Sequence, residues 1–159
     1  MENNAQNPHG DTQFKPNTTV AIVVCCQDKY LLVEETELGN QVFNQPAGHL
    51  EEKESLISAA KRELLEETGL ALTPDYCSGI YYFHRPELNL YFLRFCFVIE
   101  LDELPVCQPQ DKEIIACHWF SYEELIEKKN SLRSPMVLTC IKDYLNGQRI
   151  ELSAIQSNL

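Results

Sequence analysis

The stretch GHLEEKESLISAAKRELLEETGL, residues 48–70, decides the fold of this chain of 159 residues. It predicts a helix from about Ser55 to Thr68, because Gly69 follows where glycine commonly ends a helix in the left-handed conformation. Apolar residues recur along it at helical spacing, which gives the helix a stripe that docks on a sheet. These residues are Ile57, Ala60 and Leu64.

The same helix carries three glutamates, Glu63, Glu66 and Glu67, spaced i, i+3 and i+4, so their carboxylates share one face. Like charges at this spacing disfavour an isolated helix by about 0.2–0.5 kcal/mol per pair, and these lie near its negative C-terminal end. A solvated acidic face is the ordinary explanation for such a cluster. The glycine-containing loop before the helix favours another explanation, which is a bound cation.

The candidate metal ligands are all oxygen atoms held on a rigid helix. Mg²⁺ prefers such ligands and keeps waters that a phosphate can replace, and Mn²⁺ accepts the same set. Zinc, which favours histidine and cysteine, is not indicated.

Composition excludes several classes of protein. The 24 acidic and 13 basic residues give a net charge of -11, which argues against a nucleic-acid polymer as partner. A small phosphate ligand stays compatible, because divalent cations can bridge it to carboxylates. No apolar run approaches the roughly 20 residues that span a bilayer, so no membrane association is expected.

The cysteines and the N-terminus predict a cytoplasmic protein. The seven cysteines are an odd number without a C-x-x-C pair, which is typical of reduced thiols in the cytosol. The first residues lack the basic and apolar regions of a secretory signal. We interpret residues 1–13 as a flexible extension and residues 14–159 as a single domain.

Strands and helices alternate along that domain, which predicts an α/β sandwich with a mixed, mainly antiparallel sheet. Two hairpins are expected, one turning at residues 27–29 and the other at residues 85–89. Ser121 with Glu124 forms a capping-box pattern for a short helix, and Ser134 with Pro135 begins the last one. The expected strands are residues 18–26, 30–34, 79–84, 90–100 and 115–120.

The spacing of residues 48–70 resembles the Nudix box at every fixed position: Gly48, Glu54, and then Arg62-Glu63-Leu64-Leu65-Glu66-Glu67-Thr68-Gly69-Leu70. The resemblance implies an α/β/α sandwich that hydrolyses phosphoanhydride bonds with divalent cations. It implies that Glu63, Glu66 and Glu67 bind the metal, often with the Gly48 carbonyl, and that Arg62 and Glu54 orient them.

The resemblance leaves two points open. Glu67 and Glu63 are both candidates for the base that deprotonates the attacking water. Glu113 precedes Trp119 by six positions, as does a distal metal-binding glutamate in some family members. An exposed loop residue is the equal alternative for Glu113.

Further segments, between Phe14 and about Leu152, resemble bacterial phosphatases of this family. They include residues 43–51, residues 92–95 and residues 132–135. The resemblance implies release of orthophosphate from nucleoside tri- and diphosphates and from thiamine-pathway pyrophosphates. The alternatives are a nucleotide pyrophosphohydrolase acting on damaged nucleotides or ADP-ribose and, more remotely, a non-catalytic nucleotide sensor. A monomer or small homo-oligomer is expected.

Five residues outside the box are candidates for contacts to a small-molecule substrate: Phe43, Asn44, Gln45, Arg94 and Arg133. Phe43 suits stacking on a ring, or core packing. The two amides offer donors and acceptors, or satisfy a turn. Each arginine suits a phosphate, or a salt bridge with the abundant acids.

Overall fold

Seven strands form one mixed sheet in the computed structural model, which describes residue 10 and residues 12–159. The extension predicted at residues 1–13 falls almost entirely outside these residues. The strands are β1 (Asn17–Cys26), β2 (Lys29–Glu37), β3 (Asn40–Asn44), β4 (Ala47–His49), β5 (Tyr76–Arg85), β6 (Leu90–Leu101) and β7 (Ala116–Ser121). The helices are α1 (Leu56–Thr68), α2 (Tyr122–Glu127) and α3 (Met136–Leu145).

The sheet follows the order β3-β2-β1-β6-β5, with β4 also paired to β1 and β7 to β2. Among the strand pairs of the described residues, β1 and β6 alone run parallel, so the sheet is mixed and mainly antiparallel, as predicted. All five expected strands are present. The strands β3 and β4 were not predicted because both are short, and β2 extends past its predicted end because the polar residues 35–37 belong to it.

Each face of the sheet is covered by helix. Ala59, Ala60 and Leu64 of α1 pack on one face, against residues of β1 and β6 such as Ile22 and Phe97. A separate cluster on the opposite face joins the sheet to α2 and α3 through Leu125, Val137, Cys140 and Ile141. These two cores confirm the predicted α/β sandwich.

The helix ends follow the signals in the sequence. Ser55 caps α1 by accepting a hydrogen bond from the Ser58 amide, and Gly69 ends the helix at φ +76°. Ser121 and Glu124 form the predicted capping box of α2. Among the described residues, none of the helices combines the length and apolar character needed to cross a membrane.

Candidate active site

A cavity of about 500 Å³ opens beside α1 and extends toward the β5–β6 hairpin. This volume suits a small-molecule ligand. Acidic residues of α1 line one part of the cavity. Its other walls carry three arginines and an apolar patch, which consist of Arg85, Arg94, Arg133, Phe83, Leu88, Leu90 and Phe92.

Arg62 organises the acidic part of the cavity. It donates two hydrogen bonds to Glu54, from Nε to Oε2 at 3.0 Å and from Nη2 to Oε1 at 2.7 Å. Its Nη1 donates to Glu63 Oε1 at 2.7 Å and to Glu66 Oε2 at 3.3 Å. Nη2 also donates to the His49 carbonyl at 3.0 Å, which ties α1 to the end of β4. One guanidinium therefore fixes the loop and two of the three glutamates of α1 that were predicted to bind metal.

These contacts shift the ionisation of the paired groups. The guanidinium of Arg62, bound in bidentate geometry, lowers the pKa of Glu54. The same pairing raises the pKa of Arg62, mainly through its hydrogen bonds to Glu54. The ion pair therefore stays charged, as the orienting role implied by the family resemblance requires.

Glu67 lies deepest of the three glutamates of α1, with 7% of its surface exposed. Its Oε2 accepts a hydrogen bond from the Ala47 amide at 3.1 Å. Burial, and to a lesser extent the nearby carboxylates of Glu35, Glu63 and Asp111, raises the pKa of Glu67 to about 9. Burial also raises the pKa of Glu63, although Arg62 opposes the shift. Each raised pKa means that burial disfavours the charged form of the carboxyl, so a nearby positive charge would stabilise it.

Gly48 lies against the Glu63 carboxylate. A Cβ built on Gly48 would overlap the Oε1, Oε2 and Cδ atoms of Glu63, so any other residue would displace that carboxylate. The requirement is for space, since Gly48 is not among the residues with positive φ. Glycine at this position therefore lets β4 and the acidic face of α1 approach closely.

A loop from β6 to β7 is fastened to the end of α1. The Gln110 and Asp111 amides donate to the Glu66 carbonyl at 2.9 and 2.8 Å, and the Gln108 amide donates to the Thr68 carbonyl at 2.8 Å. Asp111 Oδ1 in turn accepts from the Glu113 amide at 2.9 Å. These bonds bring Asp111 and Glu113 to the lining of the cavity, 40 or more residues after the box.

The chain satisfies the acidic side chains with donors of its own. Arg62 Nη1 holds Glu63 and Glu66, and the Ala47 amide holds Glu67. In the part of the chain that the structure describes, no three acidic, histidine or cysteine side chains converge on a single metal-sized point. The donor set nevertheless fits a hard divalent cation, because Glu63, Glu66, Glu67 and Gly48 offer only oxygen and line one end of one cavity.

The predicted substrate contacts separate into two groups. Asn44, Arg94 and Arg133 line the cavity, whereas Phe43 and Gln45 do not. Phe43 is the cross-strand partner of Glu34, so it lies on the opposite sheet face from Asn44, its neighbour in β3. There it meets the rings of His118 and Phe120, each with centroids 5.3 Å away, as in the core-packing alternative.

Gln45 is buried instead of facing the cavity. Its Nε2 donates to the Val137 carbonyl of α3 at 2.9 Å, and only 1% of its surface is exposed. This bond anchors the chain between β3 and β4 to the helix on the other face. The side chain therefore has a structural partner rather than access to a ligand.

The residues that line or support the cavity and were not assigned a role from the sequence include Thr19, Glu35, Glu37 and Arg85. Glu37 binds both Arg85 and Arg133, and Glu35 binds Arg133 Nη1 at 2.8 Å. Glu35 and Glu37 are two residues apart in β2, so their side chains share one face of the sheet. This spacing was the sequence signal that could have identified them.

Known proteins resemble this chain over most of its length. A family model described as the NUDIX domain matches residues 15–140. The phosphatase NudJ of Escherichia coli K12 is 46% identical over 142 residues, which cover 89% of this chain and 92% of that protein.

Solved structures show the same fold. A NUDIX hydrolase from Nitrosomonas europaea is 42% identical and superposes with a TM-score of 0.84, covering 91% of this chain and 98% of that one. The NUDIX domain of Shewanella oneidensis NrtR, solved with ADP-ribose, is 19% identical with a TM-score of 0.69, covering 85% and 90%. The latter likeness shows the fold alone. On the family model, the extent of identity and the complete box, this chain belongs to the Nudix family of hydrolases, which act on phosphoanhydride bonds.

Proposed function

We propose that this protein is a metal-dependent phosphatase that releases orthophosphate from nucleoside tri- and diphosphates and from thiamine-pathway pyrophosphates. One observation carries the proposal: Gly48, Glu63, Glu66 and Glu67 line the same cavity as Arg133, so a divalent cation and a phosphate group have adjacent places. The 46% identity to a protein named as a phosphatase supports orthophosphate as the product.

Mg²⁺, with Mn²⁺ as a substitute, is the cofactor that we propose for the oxygen ligands Gly48, Glu63, Glu66 and Glu67. Glu113 lines the cavity on the facing loop and is proposed as a further ligand. A bound cation neutralises negative charge on the non-bridging phosphate oxygens. Arg62 keeps Glu63 and Glu66 in place through the hydrogen bonds of its Nη1.

Glu67 is the residue that we propose as the base. Its Oε2 is held by the Ala47 amide, which leaves Oε1 to accept the proton of the attacking water. Glu63 is the other candidate, but its Oε1 accepts a hydrogen bond from Arg62 at 2.7 Å. A carboxylate bound to a guanidinium is a weaker base than one held by a neutral amide, so Glu67 is the better choice.

Arg133 is proposed as a ligand of the substrate phosphates. Its Nε and Nη1 are held by Glu37 at 3.0 Å and by Glu35 at 2.8 Å. These two bonds orient the guanidinium and do not use Nη2, which is the donor available to a phosphate oxygen. Arg85, in contrast, uses Nε, Nη1 and Nη2 on Glu37 and Glu87.

Product analysis tests the proposal. The purified protein is incubated with Mg²⁺ and a panel of nucleoside di- and triphosphates and thiamine pyrophosphate, and the products are separated by ion exchange. Orthophosphate is expected from each substrate that is cleaved. Pyrophosphate released from a triphosphate would instead indicate a nucleotide pyrophosphohydrolase. Nucleotide binding without turnover on any member of the panel would indicate a sensor.

The cytoplasmic location and the monomeric or small homo-oligomeric state stay predictions. All seven cysteines are free thiols, four of them buried, which supports a reducing compartment.

A further inference from the structure

Three buried polar side chains on the cavity wall lack hydrogen-bond partners among the described residues. The unpartnered atoms are Nε and Nη1 of Arg94, Oγ1 of Thr19 and Oδ1 of Asn44. The three residues expose 7%, 5% and 3% of their surfaces, and all three line the cavity. Buried polar groups without partners are rare in folded proteins because each one costs stability. Their concentration along one cavity points to a ligand that supplies the missing partners.

Arg94 and Thr19 occupy matching positions in the sheet. They are register partners on the parallel strands β6 and β1, so both side chains stand on the same face. The fold thus places a guanidinium beside a hydroxyl. Together they offer several donors and one acceptor within the span of a single small ring.

The surroundings of Arg94 are aromatic and apolar. Its guanidinium lies over the ring of Phe83, 5.5 Å from the centroid. Phe83 stacks on Phe92 with centroids 5.3 Å apart and an interplanar angle of 16°. Leu88 and Leu90 line the same part of the cavity. A flat ring gains from such a wall by π contact and by burial of its faces.

The other two arginines of the cavity differ from Arg94. Arg85 is paired with Glu37 and Glu87, and Arg133 with Glu35 and Glu37. Arg94 forms no salt bridge within the described part of the chain. Its guanidinium lies beside the Cys140 thiol of α3, but its Nε and Nη1 have no hydrogen-bond partner in the described part of the chain.

We propose that Thr19, Asn44 and Arg94, with the rings of Phe83 and Phe92, form a ring subsite for a planar heterocycle whose edge carries both donors and acceptors. A phosphate would satisfy Arg94, but its charge would be desolvated against phenylalanine and leucine. An amino-substituted ring with neighbouring ring nitrogens or carbonyls satisfies all three side chains. The sequence suggested a phosphate contact for Arg94. In the ring subsite, Arg94 instead selects the organic group of the substrate.

This inference rests on the proposed function, because the ring is the group attached to the phosphates that the glutamates of α1 hold. Its test separates ring recognition from phosphate recognition. Arg94→Met removes the donors and keeps most of the volume. The kinetic constants are measured with whichever of ADP, CDP and GDP the wild type cleaves best. Inhibition of that reaction by methylenediphosphonate, a diphosphate mimic without a ring, is measured in parallel.

For Arg94→Met we expect KM for the nucleotide to rise at least about tenfold, because one bidentate arginine contact to a base edge discriminates by about that much. The inhibition constant for methylenediphosphonate should change by less than about threefold, and kcat should change little. Arg149→Met is the matched control. Arg149 also lies over an aromatic ring, that of Tyr76 at 4.2 Å, but it is remote from the cavity lining. It should leave all three constants unchanged.

An equal rise in KM and in the inhibition constant would overturn the proposal, because Arg94 would then bind phosphate. An unchanged KM would overturn it as well. If Arg94→Met does not fold, Thr19→Val replaces it, because this substitution removes one hydroxyl at constant size. Thr19→Val must then raise KM for the nucleotide and leave the inhibition constant for methylenediphosphonate little changed. If the wild type cleaves none of the nucleotides, the proposed function fails. Calorimetric binding of the same nucleotide and mimic to wild type and Arg94→Met then decides on the ring subsite alone.

Discussion

Glu37 and Arg85 face each other through two parallel hydrogen bonds, from Nη1 to Oε1 at 2.9 Å and from Nη2 to Oε2 at 2.8 Å. Glu37 Oε1 also accepts from Arg133 Nε at 3.0 Å, and Arg133 Nη1 donates to Glu35 at 2.8 Å. The resulting chain of alternating charges joins β2, the end of β5 and the segment before α3. It braces the wall of the cavity that faces the proposed phosphate site.

Glu37→Gln should destabilise the fold by roughly 2 kcal/mol, because the buried Arg85 loses two charged hydrogen bonds and keeps only the half-exposed Glu87 as its ion-pair partner. The Arg85 and Glu37 side chains are only 9% and 15% exposed. Urea denaturation gives the free energy of unfolding. Glu87→Gln is the control, since Glu87 binds the same Arg85 but is 48% exposed, and it should cost less than about 1 kcal/mol. Equal losses of unfolding free energy in Glu37→Gln and Glu87→Gln would show that burial of the ion pair does not increase its contribution.

The stabilising effect of Glu37 should disappear in acid. Hydrogen bonds from Arg85, aided by the charge of Arg133, lower the pKa of Glu37 in the folded state. The folded protein therefore binds this proton less readily than the unfolded chain, whose glutamate pKa is about 4.3. The stabilisation is complete above that value and is lost as the pH falls through the lower pKa of the folded state.

The measurement is the difference in unfolding free energy between wild type and Glu37→Gln at pH 6, 5, 4 and 3. The difference should be constant between pH 6 and pH 5 and shrink below pH 4. A difference that stays the same down to pH 3 would show that the carboxylate charge contributes nothing.

The sequence predicted the box well because its information is local. Helix capping by Ser55 and Gly69 depends on a few consecutive residues, and the shared face of Glu63, Glu66 and Glu67 follows from helical spacing alone. The structure adds what spacing does not show. Arg62 binds Glu54, Glu63 and Glu66 at once, and Glu67 is more buried than Glu66.

The remainder of the cavity could not be predicted because it is assembled from distant strands. Arg94 meets Thr19 only through the pairing of β6 with β1, a separation of 75 residues. Phe43 and Asn44 are neighbours in sequence, yet strand alternation places them on opposite faces. Whether Phe43 or Asn44 points into the cavity depends on the register of β3. This strand was not predicted because the sequence around it is polar.

Gly48→Ala should reduce kcat on the order of 10²-fold, because the added methyl group displaces the Glu63 carboxylate and small misplacements at a reacting site are that costly. The loss of stability should be only about 1–3 kcal/mol, as for other overpacked positions. Steady-state kinetics and urea denaturation are the two measurements. Gly39→Ala is the control. Nothing lies within 4 Å of a Cβ at Gly39, so this substitution lowers stability only through the φ of +80°. It should leave kcat unchanged. Similar losses of kcat in Gly48→Ala and Gly39→Ala would refute the explanation that the added methyl group displaces the Glu63 carboxylate.

Mg²⁺ should raise the melting temperature of protein stripped of metal with EDTA. A cation that binds only the folded state adds about 2.7 kcal/mol of stability at one hundred times its dissociation constant. Glu66→Gln should shift the midpoint of this titration to higher Mg²⁺ because one proposed ligand is lost. Glu52→Gln, with a side chain 87% exposed, is the control and should titrate like the wild type. Identical titrations for all three proteins would exclude Glu66 as a ligand.

Glu67→Gln should lower kcat at least about 10²-fold, because an amide neither accepts the proton of the attacking water nor neutralises a cation. The glutamine can keep the hydrogen bond from the Ala47 amide, so the fold should persist, which circular dichroism and thermal denaturation will verify. Glu63→Gln separates the roles of the two candidates. If Glu67 is the base and Glu63 only a metal ligand, higher Mg²⁺ should restore part of the activity of Glu63→Gln and none of that of Glu67→Gln. Recovery of Glu67→Gln by metal, with Glu63→Gln inert, would reverse the two assignments.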